Sequence, residues 1–255
     1  MRACLVAISL LATGIAFTPC VSFAQESRPV QANKKDQDGP TRDLSGVWTQ
    51  KRIGNSLTGE KGAEAPLTAW GEAQLKANKP AHGADQTLTD TDPVSKCFPP
   101  GVPRIYFHPF PMEVMQAPGR VVMVFEYDHF VRFIYADGRQ HPADLAPTWM
   151  GDSIGHWDGD AFVVDTIGFN EKTWLDRVGH PHSDALHLTE RFRRVDHDTL
   201  TDEITIDDPK AYTKPWTAQL AFQLKPKWEL IEFVCEDTYL NFSDYQKKID
   251  AGPSK

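Results

Sequence analysis

The densest run of reactive side chains is Trp174-Leu175-Asp176-Arg177-Val178-Gly179-His180-Pro181-His182-Ser183-Asp184. Two imidazoles two residues apart, with Asp176, Asp184 and Glu190 nearby, support three kinds of chemistry. On an extended segment, His-x-His offers two metal ligands from one side, with a carboxylate as the third. Glu190 comes late for that role, however, and no second His-bearing half follows. Alternatively, His180 or His182 moves a proton while Asp176 or Glu190 orients the ring, because imidazole titrates near the working pH. The third option is a pair of solvated histidines bridging turns. No Gly-x-Ser-x-Gly elbow is present, and Ser183 adjoins His182 in sequence, which rarely gives nucleophile geometry. Proton transfer is therefore favoured over a covalent acyl intermediate, with no metal and no cofactor called for.

A second signal comes from charges in register with large apolar residues on half-buried strands. Glu190 lies between Leu188 and Phe192, Arg132 between Phe130 and Ile134, and Asp165 beside Val163 and Ile167. If these faces point into a barrel, a carboxylate and a guanidinium stand among apolar walls, either as parts of a ligand pocket or as a structural ion pair. Arg132 would then neutralise an anionic group, with Asp165 near the same site. Trp149, Trp174 and Trp216 fall in loops, where large aromatics rim clefts or plug barrel ends.

The elements that must position these groups are mostly strands. Nineteen prolines and 17 glycines punctuate short apolar runs, and from about residue 105 the hydrophobic period is two. Expected strands are 44–49, 112–116, 120–127, 130–136, 153–157, 160–167, 186–194, 200–206, 217–224 and 228–235. Asp158-Gly159 marks a two-residue hairpin and Ala136-Asp137-Gly138-Arg139 another turn. One helix is expected at 68–76, capped by Thr68, with Trp70, Ala73 and Ala77 on its inner face. So many strands joined in sequence would leave long open edges unless the sheet closes or stacks. The expected fold is mainly β: a single antiparallel meander barrel with one short flanking helix, spanning 43–240.

Composition bounds the partners. The chain has 255 residues, 40% hydrophobic and 24% charged, and a formal charge of −8. An acidic chain lacks the excess Lys and Arg that nucleic acid requires. Arg2, an apolar run from Leu5 to Phe17 and Val21-Ser22-Phe23-Ala24 describe a signal peptide over 1–24, too short in its apolar part to span a bilayer. No transmembrane segment is expected after cleavage. Residues 25–42 form a polar leader and 241–255 a polar tail. Export removes Cys4 and Cys20, leaving Cys97 and Cys235 either as one disulfide or as two buried thiols.

Ser45-Gly46-Val47-Trp48, a Gly-x-Trp at the first strand, resembles the opening of lipocalin-like (calycin) barrels. A broader resemblance runs through PLTAWGEAQLKANKP, DPVSKCFPPGVPR, PTWMGDSIGHWDGDAFVVDTIGFN and TWLDRVGHPHSDALHLTERFRRVDHDTL. These segments are similar to a widespread set of exported bacterial proteins with no assigned activity. That likeness implies export and a β-rich fold. The expectation is an exported, periplasmic or secreted barrel that holds a small, partly apolar molecule in its mouth. On it, His180 and His182 would perform lyase, isomerase or hydrolase chemistry. The alternative is a non-catalytic periplasmic carrier or sensor. The sequence leaves the oligomeric state open.

Overall fold

The computed structural model describes residues 42–52, 54–78 and 91–237. The expected signal segment 1–24 and tail 241–255 lie outside the described residues, as does all of the leader except Arg42. Nine strands form one closed barrel: β1 (Gly46–Gln50), β2 (Met112–Ala117), β3 (Arg120–Phe125), β4 (Val131–Tyr135), β5 (Asp152–Asp158), β6 (Ala161–Ile167), β7 (His187–Asp196), β8 (Thr199–Asp207) and β9 (Trp216–Leu224). They follow one another in sequence order, and β9 pairs back onto β1 through Trp48 and Leu224. Helix α1 (Ala69–Ala77) flanks the barrel. A second helical stretch occupies 235–237 among the described residues.

Alternation sets the inner face. On β7, Leu188, Glu190 and Phe192 are fully buried while His187 and Arg193 face solvent. On β8, Leu200, Asp202, Ile204 and Ile206 point inward with no exposure. The β5–β6 hairpin turns at Gly159-Asp160, one residue later than the Asp158-Gly159 expectation, because Asp158 already pairs with Ala161. Gly159 takes φ +62 there, a value that a residue without Cβ adopts at no steric cost.

Three features depart from a simple meander. First, β4 and β5 are parallel, joined only through Ile134↔Ser153 and Tyr135↔Ile154. The turn at Asp137-Gly138 does not reverse the chain into a neighbouring strand. Residues 136–151 instead make a long crossover with Pro142 and Pro147, after which β5 starts beside the end of β4. Second, no strand forms at 228–235. Since β9 bonds to both β8 and β1, closure leaves no edge for another strand. That segment docks outside the barrel, with Ile231 N donating to Glu126 Oε2 at 3.1 Å and Phe233 packing 5.4 Å from Tyr127. Third, the inner face of α1 is not Trp70-Ala73-Ala77. Ala73 and Ala77 are exposed, and Gly71 is the buried residue.

The barrel is plugged from within. A 3-10 turn, Arg104–Phe107, is buried throughout. It places the Tyr106 ring 5.7 Å from Phe222, 5.9 Å from Phe125 and 6.4 Å from Phe192. Trp48 is fully buried, its Nε1 donates to Leu44 O at 3.0 Å, and the Arg194 guanidinium lies 5.2 Å over its ring. The gap left between Trp48, Tyr106, Phe125 and Phe222 is about 10 Å³, near the lower limit for one water. A disulfide joins Cys97 to Cys235 across 138 positions, resolving the two-thiol alternative.

Candidate functional site

Inside the barrel, Arg132 is the hub of a buried polar network. Its guanidinium donates to Glu190 Oε2 at 2.5 Å and Oε1 at 3.0 Å, to Thr166 Oγ1 at 2.9 Å, to Ser153 Oγ at 3.1 Å and to Tyr106 Oη at 2.7 Å. Tyr106 in turn donates to Glu190 Oε1 at 2.9 Å. Glu190 therefore orients Arg132 and Tyr106 rather than a histidine. Asp202 shares this interior with neither carboxylate oxygen hydrogen-bonded. Burial, reinforced by the Glu190 charge and opposed by Arg132, pushes its pKa well above the carboxylate range. The charged form of Asp202 is therefore disfavoured beside the ion pair. The chain is thus a β-barrel with buried charged and polar side chains of the kind a binding cavity uses.

One open space lies at the barrel mouth. A cleft of about 500 Å³ is walled by α1, by residues 171–174, by Pro181-His182 and by Lys210. Helix α1 contributes Trp70 and Gln74, spaced four apart and therefore on one face, and its C-cap Asn78 follows them. The face is fixed by how the helix starts. Thr68 Oγ1 caps it by accepting from Gly71 N at 3.1 Å and donates to Lys210 O at 2.7 Å, while Thr68 N donates to Ala211 O at 2.9 Å. Asn78 Nδ2 ties the other end of α1 to Gly179 O at 2.8 Å.

Asp176 builds the turn behind the cleft. Fully buried, its Oδ1 accepts from the backbone N–H of Val178, Gly179 and His180, each at 3.1 Å, and its Oδ2 accepts from Leu57 N at 2.8 Å. The same Oδ2 holds His180 Nδ1 at 2.5 Å. Asp176 and His180 thus form a carboxylate–imidazole pair. It packs against Trp216, 6.4 Å from the His180 ring, with Tyr212 beyond at 5.4 Å.

His182 lies on the cleft wall itself. Its Nδ1 meets the Ser183 carbonyl at 3.0 Å; a carbonyl only accepts, so Nδ1 carries the hydrogen and Nε2 presents a lone pair. That Nε2 is buried without a partner. Burial lowers the His182 pKa, against smaller contributions from the Ser183 carbonyl, Asp208 and Glu171, leaving the ring neutral. The ring is set by Ser183, whose N–H and Oγ both donate to Asp208, at 2.5 and 2.9 Å. Tyr212 Oη also bonds to Pro181 O at 2.8 Å. Glu171 and Lys210 pair at 2.8 Å on the same wall, with Lys210 Nζ 4.8 Å over Trp70. Trp174 lines the cleft with the Arg104 guanidinium 4.9 Å over its ring.

Of the residues singled out in the sequence, His182 and Trp174 line the cleft, and Asp176 and His180 form the turn behind it. Trp216 is buried beside His180. Arg132 and Glu190 are paired inside the barrel. Asp165 lies on the outer face, hydrogen-bonded to His187 and 3.4 Å from His141. Trp149 stacks on Phe98 at 5.5 Å, away from the cleft lining. Sequence reasoning missed Gln74, Asn78, Glu171, Lys172 and Lys210. The first two carried a signal, the four-residue spacing from Trp70. The others come from segments far apart in the chain.

Among the described residues, no group of three or more His, Cys, Asp or Glu is arranged to hold a metal ion, and no helix is long and apolar enough to cross a membrane. Comparison with family models, with curated proteins and with solved structures gave no match.

Proposed function

We propose that this is an exported barrel protein that binds a small molecule in its mouth cleft and moves a proton on it, with His182 as the base. The observation that carries this is the His182 ring: neutral, fixed through Nδ1, part of the cleft lining, and with its Nε2 buried without a partner. A buried acceptor without a partner costs about 1–3 kcal/mol, which a ligand hydrogen placed on Nε2 would recover. Proton abstraction by a neutral imidazole is the chemistry of isomerases and lyases. Asp176 and His180 act as positioning residues that shape the turn leading into Pro181-His182. Export is supported by the disulfide, which suits an oxidising compartment, and by the likeness to exported bacterial proteins.

The proposed site is more polar than the partly apolar molecule anticipated from the sequence would require. Gln74, Asn78, Glu171, Lys172 and Lys210 line the cleft beside the two indoles. The test is native mass spectrometry for a small molecule retained from a pool of polar metabolites. That molecule is then incubated with the protein in D2O. Retention with deuterium incorporation or conversion, abolished in His182→Gln, is the expected result. Retention without chemistry makes the protein a carrier, and chemistry unchanged in His182→Gln removes His182 as the base.

A further inference from the structure

We infer that the molecule taken by the mouth cleft is hydroxyl-rich, a sugar or sugar acid; this rests on the assignment of that cleft as the binding site. The cleft presents donors and acceptors together. The Gln74 side-chain amide and the Lys172 ammonium have no hydrogen-bond partner among the described residues, and Asn78 uses its Nδ2 on Gly179 and keeps Oδ1. His182 Nε2 adds a buried acceptor. A hydroxyl both donates and accepts, so a ligand carrying several of them satisfies such a mixed set. An isolated carboxylate or phosphate uses only the donors, an amine only the acceptors, and a hydrocarbon neither.

Trp70, which is partly exposed, supplies the complementary surface, while Trp174 is mostly covered at 6% exposure. Trp70 on α1 and Trp174 on the 168–186 connection line the same cleft, each held from one side by a cation, Lys210 at 4.8 Å and Arg104 at 4.9 Å. A sugar ring has an apolar C–H face that packs on a large rigid aromatic, while its rim of hydroxyls meets planar amides. The volume, about 500 Å³, is inside the range of small-molecule sites, roughly 300–1,000 Å³.

The experiment is ligand-observed NMR on the full chain with glucose, cellobiose, glucuronate and galacturonate, set against benzoate and octanoate as probes without hydroxyl-rich rings. At least one sugar probe should bind, and Gln74→Ala and Trp70→Ala should each weaken it about tenfold, the loss of one good hydrogen bond or packing contact. Gln74 is on a helix surface, where alanine is the best helix former, so that variant keeps the fold. If benzoate or octanoate binds with sensitivity to these two substitutions and no sugar does, the sugar assignment is wrong and the cleft assignment stands. If the substitutions change the binding of no probe, both fail.

Discussion

Arg132 on β4 and Glu190 on β7 meet across the inside of the barrel, Nη2 to Oε2 2.5 Å apart, with side chains 1% and 0% exposed. Through Ser153 and Thr166 the same guanidinium also reaches β5 and β6. It therefore stitches together four strands across the parallel seam, where β4 and β5 share only two residue pairs. Burying both charges is expensive, and the pair need not stabilise the fold relative to apolar residues; removing one partner leaves the other uncompensated. Arg132→Met or Glu190→Leu should each cost about 3–5 kcal/mol in urea unfolding. The double variant should cost clearly less than the sum. Additive losses would mean that the two charges are independent.

Asp202 gives a test with the opposite outcome. Its carboxyl is fully buried and its pKa is raised well above the ordinary 3.8, first by burial and then by Glu190. The folded state then keeps a proton that the unfolded chain releases above pH 3.8, so stability falls as pH rises from there through the folded pKa. Asparagine has the same shape without that titration. Asp202→Asn should be more stable than the parent at pH 8, with the advantage shrinking towards pH 4. A variant less stable than the parent at pH 8 would show that Asp202 is needed as a carboxylate.

His108 titrates the other way. Its ring stacks on Tyr127 at 4.6 Å and its Nε2 has no partner. Burial, then the charges of Arg104 and Arg177, lower its pKa from 6.5 to about 3. The unfolded chain takes up a proton below pH 6.5 that the folded state refuses until about pH 3, so stability is lost as pH falls through that window. The loss is on the order of 5 kcal/mol at most, with His182 adding in the same direction. His108→Phe keeps the stack and removes the titration. Its stability difference between pH 7 and pH 4.5 should shrink relative to the parent, and an unchanged difference would exclude His108 as a source of acid sensitivity.

The contrast between Glu190 and Asp165 shows what the sequence could reveal. Leu188 and Phe192 lie inward with Glu190, while Arg191 and Arg193 lie outward, so a period of two places the carboxylate unambiguously. On β6, Ala161 and Val163 are as apolar as Phe162 and Val164, and both sets are buried. Periodicity then selects no face, and Asp165 lies on the outer one, beside His187 and His141. Asp202 was legible by the same rule that found Glu190, since it alternates with Leu200, Ile204 and Ile206. The cleft was mostly not legible. Glu171 meets Lys210 across 39 positions and Asn78 meets Gly179 across 101, contacts that only the closed barrel brings together.

The disulfide closes 138 positions of chain, and in the chain-entropy picture a loop of that size is worth about 5 kcal/mol through the unfolded state. It also anchors the outer segment, where Cys235 N donates to Asp128 Oδ1 at 2.6 Å. The double variant Cys97→Ser, Cys235→Ser should lose about 3–5 kcal/mol. Reduction of the parent should reproduce that loss; a parent that unfolds at the same denaturant concentration with and without reductant would contradict it.

Gly71 separates helix propensity from docking. Alanine in a helix is favoured over glycine by up to about 1 kcal/mol, so α1 viewed alone gains from Gly71→Ala. In place, the added Cβ would stand 2.3 Å from the Ala211 carbonyl oxygen and 2.9 Å from Leu67 Cδ2. The carbonyl is backbone in the turn to which Thr68 is already hydrogen-bonded, so the helix rather than the turn must shift. The clash should outweigh the propensity and leave a net loss of about 1–3 kcal/mol. The shift carries Trp70, Gln74 and Asn78 with it, so binding at the mouth should weaken even where the fold persists. Glu72→Ala, on the exposed side of the same helix, should change neither quantity. A Gly71→Ala variant more stable than the parent would mean that α1 does not dock as closely as Ala211 requires.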